Sequence, residues 1–185
     1  NALRVLDTED LHFLRKARQE AVLKGFPTSE ADLFSETAKR ELASILRCDL
    51  SLIISEVEIQ LLEEKFKIPK TLLWYLPFLV TPPSEENLTF DERDDFITVG
   101  NLLHAPNIDS VRQLKKVIWP RIRMQLPDAQ LRVYGAYAPQ QIKEFHNEHE
   151  GFLVVGWTSD LKQVMQKAKV CLAPIRFGAG LKGKL

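Results

Sequence analysis

Short apolar runs alternate along this chain with longer segments whose apolar residues recur at helical spacing. The runs are Leu3–Leu6, Asp49–Ile54, Lys70–Tyr75, Phe96–Val99, Leu131–Tyr134, Phe152–Val155 and Val170–Ala173. This rhythm constrains the fold more than any other feature. Strands separated by helices pair in parallel, because a helical crossover returns the chain to the same end of the sheet. Three runs stop at a glycine: Gly100, Gly135 and Gly156. In doubly wound sheets ligands bind beyond the carboxyl ends of the strands. The topology therefore gathers Gly100-Asn101, Gly135, Gly156-Trp157 and the segment after Ala173 along one edge.

The helical segments carry their own punctuation. Thr8 or Asp10 opens a charged helix to about Lys24, which Gly25 and Pro27 end. Ser29 or Ser35 opens a second to about Arg47, with Phe34, Ala38, Leu42, Ile45 and Leu46 on one face. Ser55-Glu-Val-Glu58 reads as a capping box in which Glu58 reaches back to Ser55. In the second half Asn107 can cap a helix bearing Val111, Leu114, Ile118 and Ile122, which Pro120 kinks or splits. A polar helix spans about Pro139 to Glu148, and Ser159 or Asp160 starts another to about Ala168. Between the halves, Thr81 to Asp94 holds Pro82, Pro83 and a run of acids, and reads as a linker.

Composition removes several classes. Lys plus Arg and Asp plus Glu are 25 each, and no basic run is present, which argues against a nucleic-acid binder. Cys48 and Cys171 fit no metal or redox spacing; as buried thiols they suit a reducing, cytoplasmic compartment. His146 and His149 lie on the polar helix and read as a solvated face, so no metal site is expected. No apolar run reaches membrane-helix length; contact with a membrane surface stays open. Trp74 and Trp119 read as packing residues. Neither a dinucleotide glycine fingerprint nor a Walker lysine motif is present.

Val170–Ala173 runs into Pro174-Ile-Arg-Phe-Gly-Ala-Gly-Leu-Lys-Gly-Lys-Leu185. Gly178, Gly180 and Gly183 let backbone N–H groups approach a ligand, and Arg176, Lys182 and Lys184 suit phosphate. The alternative is a solvated basic loop. His104, between a strand and a helix start, is either a donor to an anionic or sugar oxygen or a loop histidine bonded to backbone. Asp10 and His12 lie beyond the first strand; they face a cleft, or Asp10 caps the helix and His12 is a surface residue. Trp157 walls a base pocket or packs in the core.

Taken together, Phe96-Ile-Thr-Val-Gly-Asn-Leu-Leu-His-Ala-Pro-Asn107, Leu131-Arg-Val-Tyr-Gly135, Val154-Val-Gly-Trp157 and Pro174–Lys184 resemble the group 1 (family 4-like) glycosyltransferases. So do Asp7-Thr-Glu-Asp-Leu-His-Phe-Leu-Arg15 and Leu52-Ile-Ile-Ser-Glu56. The resemblance implies an α/β fold of two Rossmann-like doubly wound parallel-sheet domains, the GT-B arrangement, both incomplete in this chain. Residues 1–80 would be the later part of an acceptor-side domain, 81–94 the linker and 95–185 the first part of a donor domain. The implied reaction transfers a sugar from a nucleotide-diphosphate sugar to a glycan, lipid or protein acceptor, with retention and without a metal or other cofactor.

The same resemblance assigns the residues. Gly100 and Asn101 would face the donor phosphates and sugar, and Gly156 and Trp157 would line the base. Arg176, Gly178, Gly180, Lys182 and Lys184 would surround the diphosphate, with Arg176, Lys184 and His104 as the catalytic set. Asp10 and His12 would lie on the substrate side. Many relatives carry a glutamate where Ala179 stands, so sugar recognition differs here. Two rivals follow: a non-catalytic nucleotide- or glycan-binding relative, and an epimerase or phosphorylase of the same fold. These 185 residues by themselves are expected to be inactive and marginally stable.

Overall fold

The computed structural model describes residues 2–80 and 88–181 and separates them into two compact units. Residues 2–80 and 177–181 make the first; residues 88–176 make the second. Pro82 and Pro83 of the expected linker lie outside the described residues, as do Lys182 and Lys184.

The first unit runs β1 (Val5–Thr8), α1 (His12–Leu23), α2 (Glu36–Arg47), β2 (Leu50–Ile53), α3 (Glu56–Glu64) and β3 (Leu73–Tyr75). Its strands pair in parallel in the order β1-β2-β3. Leu11, Phe13, Ile45, Ile53 and Leu62 form the core, with Phe66 edge-on to Phe13 at 5.3 Å between ring centres.

Several local expectations change. Ser35, not Ser29, caps α2, its Oγ accepting from the Ala38 N–H at 3.2 Å. Phe34 therefore precedes the helix and is exposed, as is Leu46; Ala38 and Ile45 make the buried stripe. Residues 70–72 form a 3-10 turn, so β3 is shorter than expected, and its Trp74 is 61% exposed rather than packed.

The second unit runs β4 (Asp94–Val99), α4 (Ala105–Gln113), α5 (Trp119–Gln125), β5 (Leu131–Tyr134), α6 (Gln140–Lys143), β6 (Phe152–Gly156), α7 (Leu161–Lys167) and β7 (Ala168–Cys171). All strand pairs are parallel, in the order β6-β5-β4-β7. Pro120 acts as expected. It has no N–H to give and its ring crowds the preceding turn, and residues 114–118 widen into a π-helical stretch before α5 begins. Trp119 is buried among Leu114, Leu131 and Phe152, and its indole N–H donates to the Glu150 carbonyl at 2.7 Å.

Here too the boundaries shift. α6 stops at Lys143, because the chain turns so that the His146 Nδ1 accepts from the Val154 N–H at 3.2 Å. His146 is thus a turn residue, not part of a solvated helix face. Asp160 caps α7 through the Gln163 N–H at 2.8 Å. β7 begins at Ala168, directly where α7 ends. Both cysteines are half-buried rather than fully buried. Each unit is thus a parallel sheet with helical crossovers, the α/β class expected from the alternation.

Candidate functional site

In the second unit the chain moves from β4 outward through β5 to β6, then returns to place β7 on the other side of β4. The connections leaving β4 and β7 lead to opposite sides, and in doubly wound sheets ligands bind at the carboxyl ends of such a strand pair. The turn after β4 is held by its own side chains. The Asn101 Oδ1 accepts from the Leu103 N–H at 2.9 Å, and the Asn107 Nδ2 donates to the Asn101 carbonyl at 2.8 Å. Leu102 is buried beneath the turn. Asn107 was expected to cap the helix. Instead α4 starts at Ala105, His104 occupies the N-cap position, and Pro106 sits in the first turn, where a missing N–H costs nothing. His104 is exposed.

The strand ends are packed backbone to backbone. The Gly100 N–H donates to the Tyr134 carbonyl at 3.0 Å, and the Gly135 N–H donates to the Gly156 carbonyl at 2.7 Å. A side chain on Gly135 would meet the Gly100 oxygen at 2.1 Å. Gly156 ends β6 with φ +88° and open space around it, and Trp157 beyond it is 71% exposed, not core.

On the β7 side the Leu172 N–H continues the pairing to the Ile97 carbonyl at 2.7 Å. Arg176 then forms a two-point ion pair with Asp109 of α4, with its Nε 2.8 Å from Oδ2. Hydrogen bonding to Asp109 raises the Arg176 pKa further, so the guanidinium is permanently charged. The second unit therefore brings together Gly100, Asn101, His104, Gly156, Trp157 and Arg176 at one edge of its sheet.

The first unit holds the remaining described residues. Of the two readings of Asp10, a helix cap or a cleft residue, the cap is not made. The helix starts at His12, and the Glu41 carboxylate of α2 accepts from the His12 and Phe13 N–H groups at 3.0 and 2.7 Å. Asp10 instead pairs with Arg15 at 2.6 Å. His12 lies between two acids, its Nε2 3.4 Å from Asp10 and its Nδ1 3.3 Å from Glu41. These groups line a cavity of about 400 Å³ with Asp7, Thr8 and Ser44. Its wall can accept hydrogen bonds from hydroxyl groups.

Gly178 and Gly180 belong to this unit as well. The Arg18 Nη1 donates to the Gly178 carbonyl at 2.7 Å, and the Gly180 N–H donates to the Glu58 Oε1 at 2.5 Å. Ala179 between them is buried in the first core. The capping box is thus half made. The Ser55 Oγ accepts from the Glu58 N–H at 3.4 Å, but the Glu58 side chain turns to the glycine loop. Burial raises the Glu58 pKa, and the Gly180 N–H pulls it partly back; Asp10 raises it too, while the charge of Arg18 and the Leu11 N–H lower it. Its Oε2 is buried without a well-formed hydrogen bond.

Arg18, Glu41, Glu58 and Asp109 escaped the sequence reading. Each has an ordinary local explanation, a polar helix face or a capping box, and only a partner far along the chain gives it another role. Among the described residues no group of three His, Cys, Asp or Glu side chains converges as a metal site. No described helix is long and apolar enough to cross a membrane.

Residues 93–185 match the family Glycosyl transferases group 1. The chain belongs to that family. No curated protein matches it. Among solved structures, a TarM variant from S. aureus in complex with fondaparinux, alpha-GlcNAc-glycerol and UDP aligns over 92% of this chain, with a TM-score of 0.64 and 10% identity. A second TarM structure gives 0.63 over 92% at 11% identity. The GtfA/B complex gives 0.52 over 90% at 16% identity. The chain spans about a third of each of these proteins, 32%, 31% and 32%. The shared fold is GT-B.

Proposed function

We propose that the protein containing this chain transfers a sugar from a nucleotide-diphosphate sugar to a hydroxyl acceptor, with retention and without a required metal. The observation that carries the reading is the strand order β5-β4-β7, which brings the carboxyl ends of β4 and β7 together, with Gly100, Asn101 and His104 before α4 and Arg176 held by Asp109. UDP in the TarM complex supports a nucleotide as the donor's leaving group.

The bond between the sugar carbon and the diphosphate oxygen breaks, and the diphosphate keeps the electron pair. The acceptor oxygen forms the new bond to that carbon and gives its proton to the departing diphosphate oxygen. Negative charge builds on the phosphate oxygens as the bond breaks. Arg176, with Lys182 and Lys184 from the same loop, offsets that charge in place of a divalent ion. His104 orients a sugar or phosphate oxygen beside the helix N-terminus. Gly156 leaves open space beside the base, and Trp157 offers it an exposed face. Asp10 and His12 line the acceptor side, where the cavity accepts hydroxyl groups from a glycan or a lipid- or protein-borne acceptor.

Calorimetric titration of UDP, GDP and ADP into the full-length protein tests this. Arg176→Ala and Lys184→Ala should each weaken the preferred nucleotide about tenfold or more, the loss of one charge-assisted contact. Unchanged affinity in both variants would sink the phosphate assignment. A non-catalytic nucleotide-binding relative is the second reading, favoured by the methyl group of Ala179 at a family glutamate position. Nucleotide binding with no glycosylated product across donors and acceptors would select it.

A further inference from the structure

We propose that Glu58 and Arg18 are positioning residues for the nucleotide-sugar donor: they clamp the Gly178-Ala179-Gly180 backbone, and the glycine-rich loop binds diphosphate well only when clamped. The inference rests on the donor role given to this loop above.

Two hydrogen bonds, a buried methyl group and a crowded glycine fix three residues. Arg18 holds the Gly178 carbonyl at 2.7 Å, and Glu58 holds the Gly180 N–H. Ala179 is 3% exposed and packs with Leu11 and Ile53 in the core. Gly180 has φ +63°, and a side chain there would come within 2.7 Å of the Glu9 carbonyl and 2.9 Å of the Asp10 Cβ. Only glycine tolerates both the backbone angle and the crowding. Arg18 lies on α1 and Glu58 on α3, so the loop is gripped from two rigid elements rather than by its own turn.

The choice of residue matters. Glu58 is 2% exposed, and a buried carboxylate is costly unless its acceptors are used. A hydrophobic residue here would pack at less cost, so the carboxylate is explained by what it holds. A glycine-rich segment loses the most entropy on ordering. Ordering it before the ligand arrives removes that cost from binding. Glu58 and Arg18 act on the donor only through the loop.

The test uses the full-length protein with Glu58→Ala, Glu58→Gln and Arg18→Ala. Hydrogen exchange of a peptide spanning residues 175–181 reads the clamp, and calorimetry with UDP, GDP and ADP reads the donor site. In Glu58→Ala and Arg18→Ala the loop should exchange about tenfold faster and the nucleotide Kd should rise about tenfold. In Glu58→Gln the amide oxygen still accepts from Gly180, and both readouts should stay within about threefold of wild type. Half-exposed Arg18 carries the test if Glu58→Ala fails to fold.

Unchanged loop exchange in both truncations overturns the clamp. Faster exchange with unchanged nucleotide affinity makes it purely structural and overturns the donor role. A wild-type protein that binds none of the three nucleotides, yet whose loop exchange responds to the variants, overturns the donor reading itself.

Discussion

Gly135→Ala is the sharpest test of how the second unit builds its site edge. The Cβ of alanine would stand 2.1 Å from the Gly100 carbonyl oxygen and 2.9 Å from the Leu102 Cγ. Relief requires the oxygen to move by more than about an ångström, since real contacts of this kind lie beyond 3.0 Å. The oxygen is part of a fixed backbone. The Gly100 N–H is bonded to Tyr134, the Leu102 N–H to Ala136 and the Gly135 N–H to Gly156, at 3.0, 3.1 and 2.7 Å. Overpacking a tight site costs about 1–3 kcal/mol. Stretching one of these hydrogen bonds past use adds about 1 kcal/mol. The expected destabilisation is therefore about 2–4 kcal/mol. Urea unfolding followed by circular dichroism measures it. With a slope of about 2 kcal/mol per molar, the midpoint should fall by about 1–2 M. Nucleotide affinity of the folded protein should fall too, because the displaced carbonyl belongs to the Gly100-Asn101 turn. A midpoint within about 0.25 M of wild type would refute the claim that the strand ends are packed this closely.

Two further outcomes are expected. Glu41→Ala removes the acceptor of two N–H groups at the start of α1 and should cost about 1–2 kcal/mol in urea unfolding; Glu41→Gln, which keeps one acceptor, should lose less, and an unchanged stability in Glu41→Ala would show that the carboxylate does not cap the helix. The Glu58 pKa is raised from the ordinary 4.5, so its protonated form is favoured in the folded state, and that contribution is full below the unfolded pKa and lost as pH rises through the folded one. The stability of Glu58→Gln minus that of wild type should therefore grow as pH rises from the ordinary carboxyl range through the raised Glu58 pKa, by thermal unfolding at each pH, and a flat difference would contradict a carboxylate destabilised by burial.

The candidate site is partly legible in the sequence alone. Strand ends at Gly100, Gly135 and Gly156 can be read from local sequence, because an apolar run followed by glycine stops a strand wherever it occurs. That these ends share an edge follows from parallel crossovers. The capping box at Ser55 illustrates the limit. Its spacing is correct, and Ser55 does cap α3, but Glu58 turns away because the Gly180 N–H, 122 residues along the chain, offers a buried partner. Asp10 shows the same limit from the other side. It has the right residue type to cap α1, yet Glu41 from a neighbouring helix reaches the same N–H groups.

Periodicity alone thus determined the α/β class, the order of most elements and the split imposed by Pro120, since these depend on short-range sterics and on the repeat of apolar residues. Tertiary structure decided which charges meet. Arg176 with Asp109, Arg18 with Gly178 and Glu58 with Gly180 are 67, 160 and 122 residues apart, and no local pattern encodes a partner at that distance. It also decided that position 179 takes a methyl group, because the space there is set by a core assembled from β2, α1 and α2.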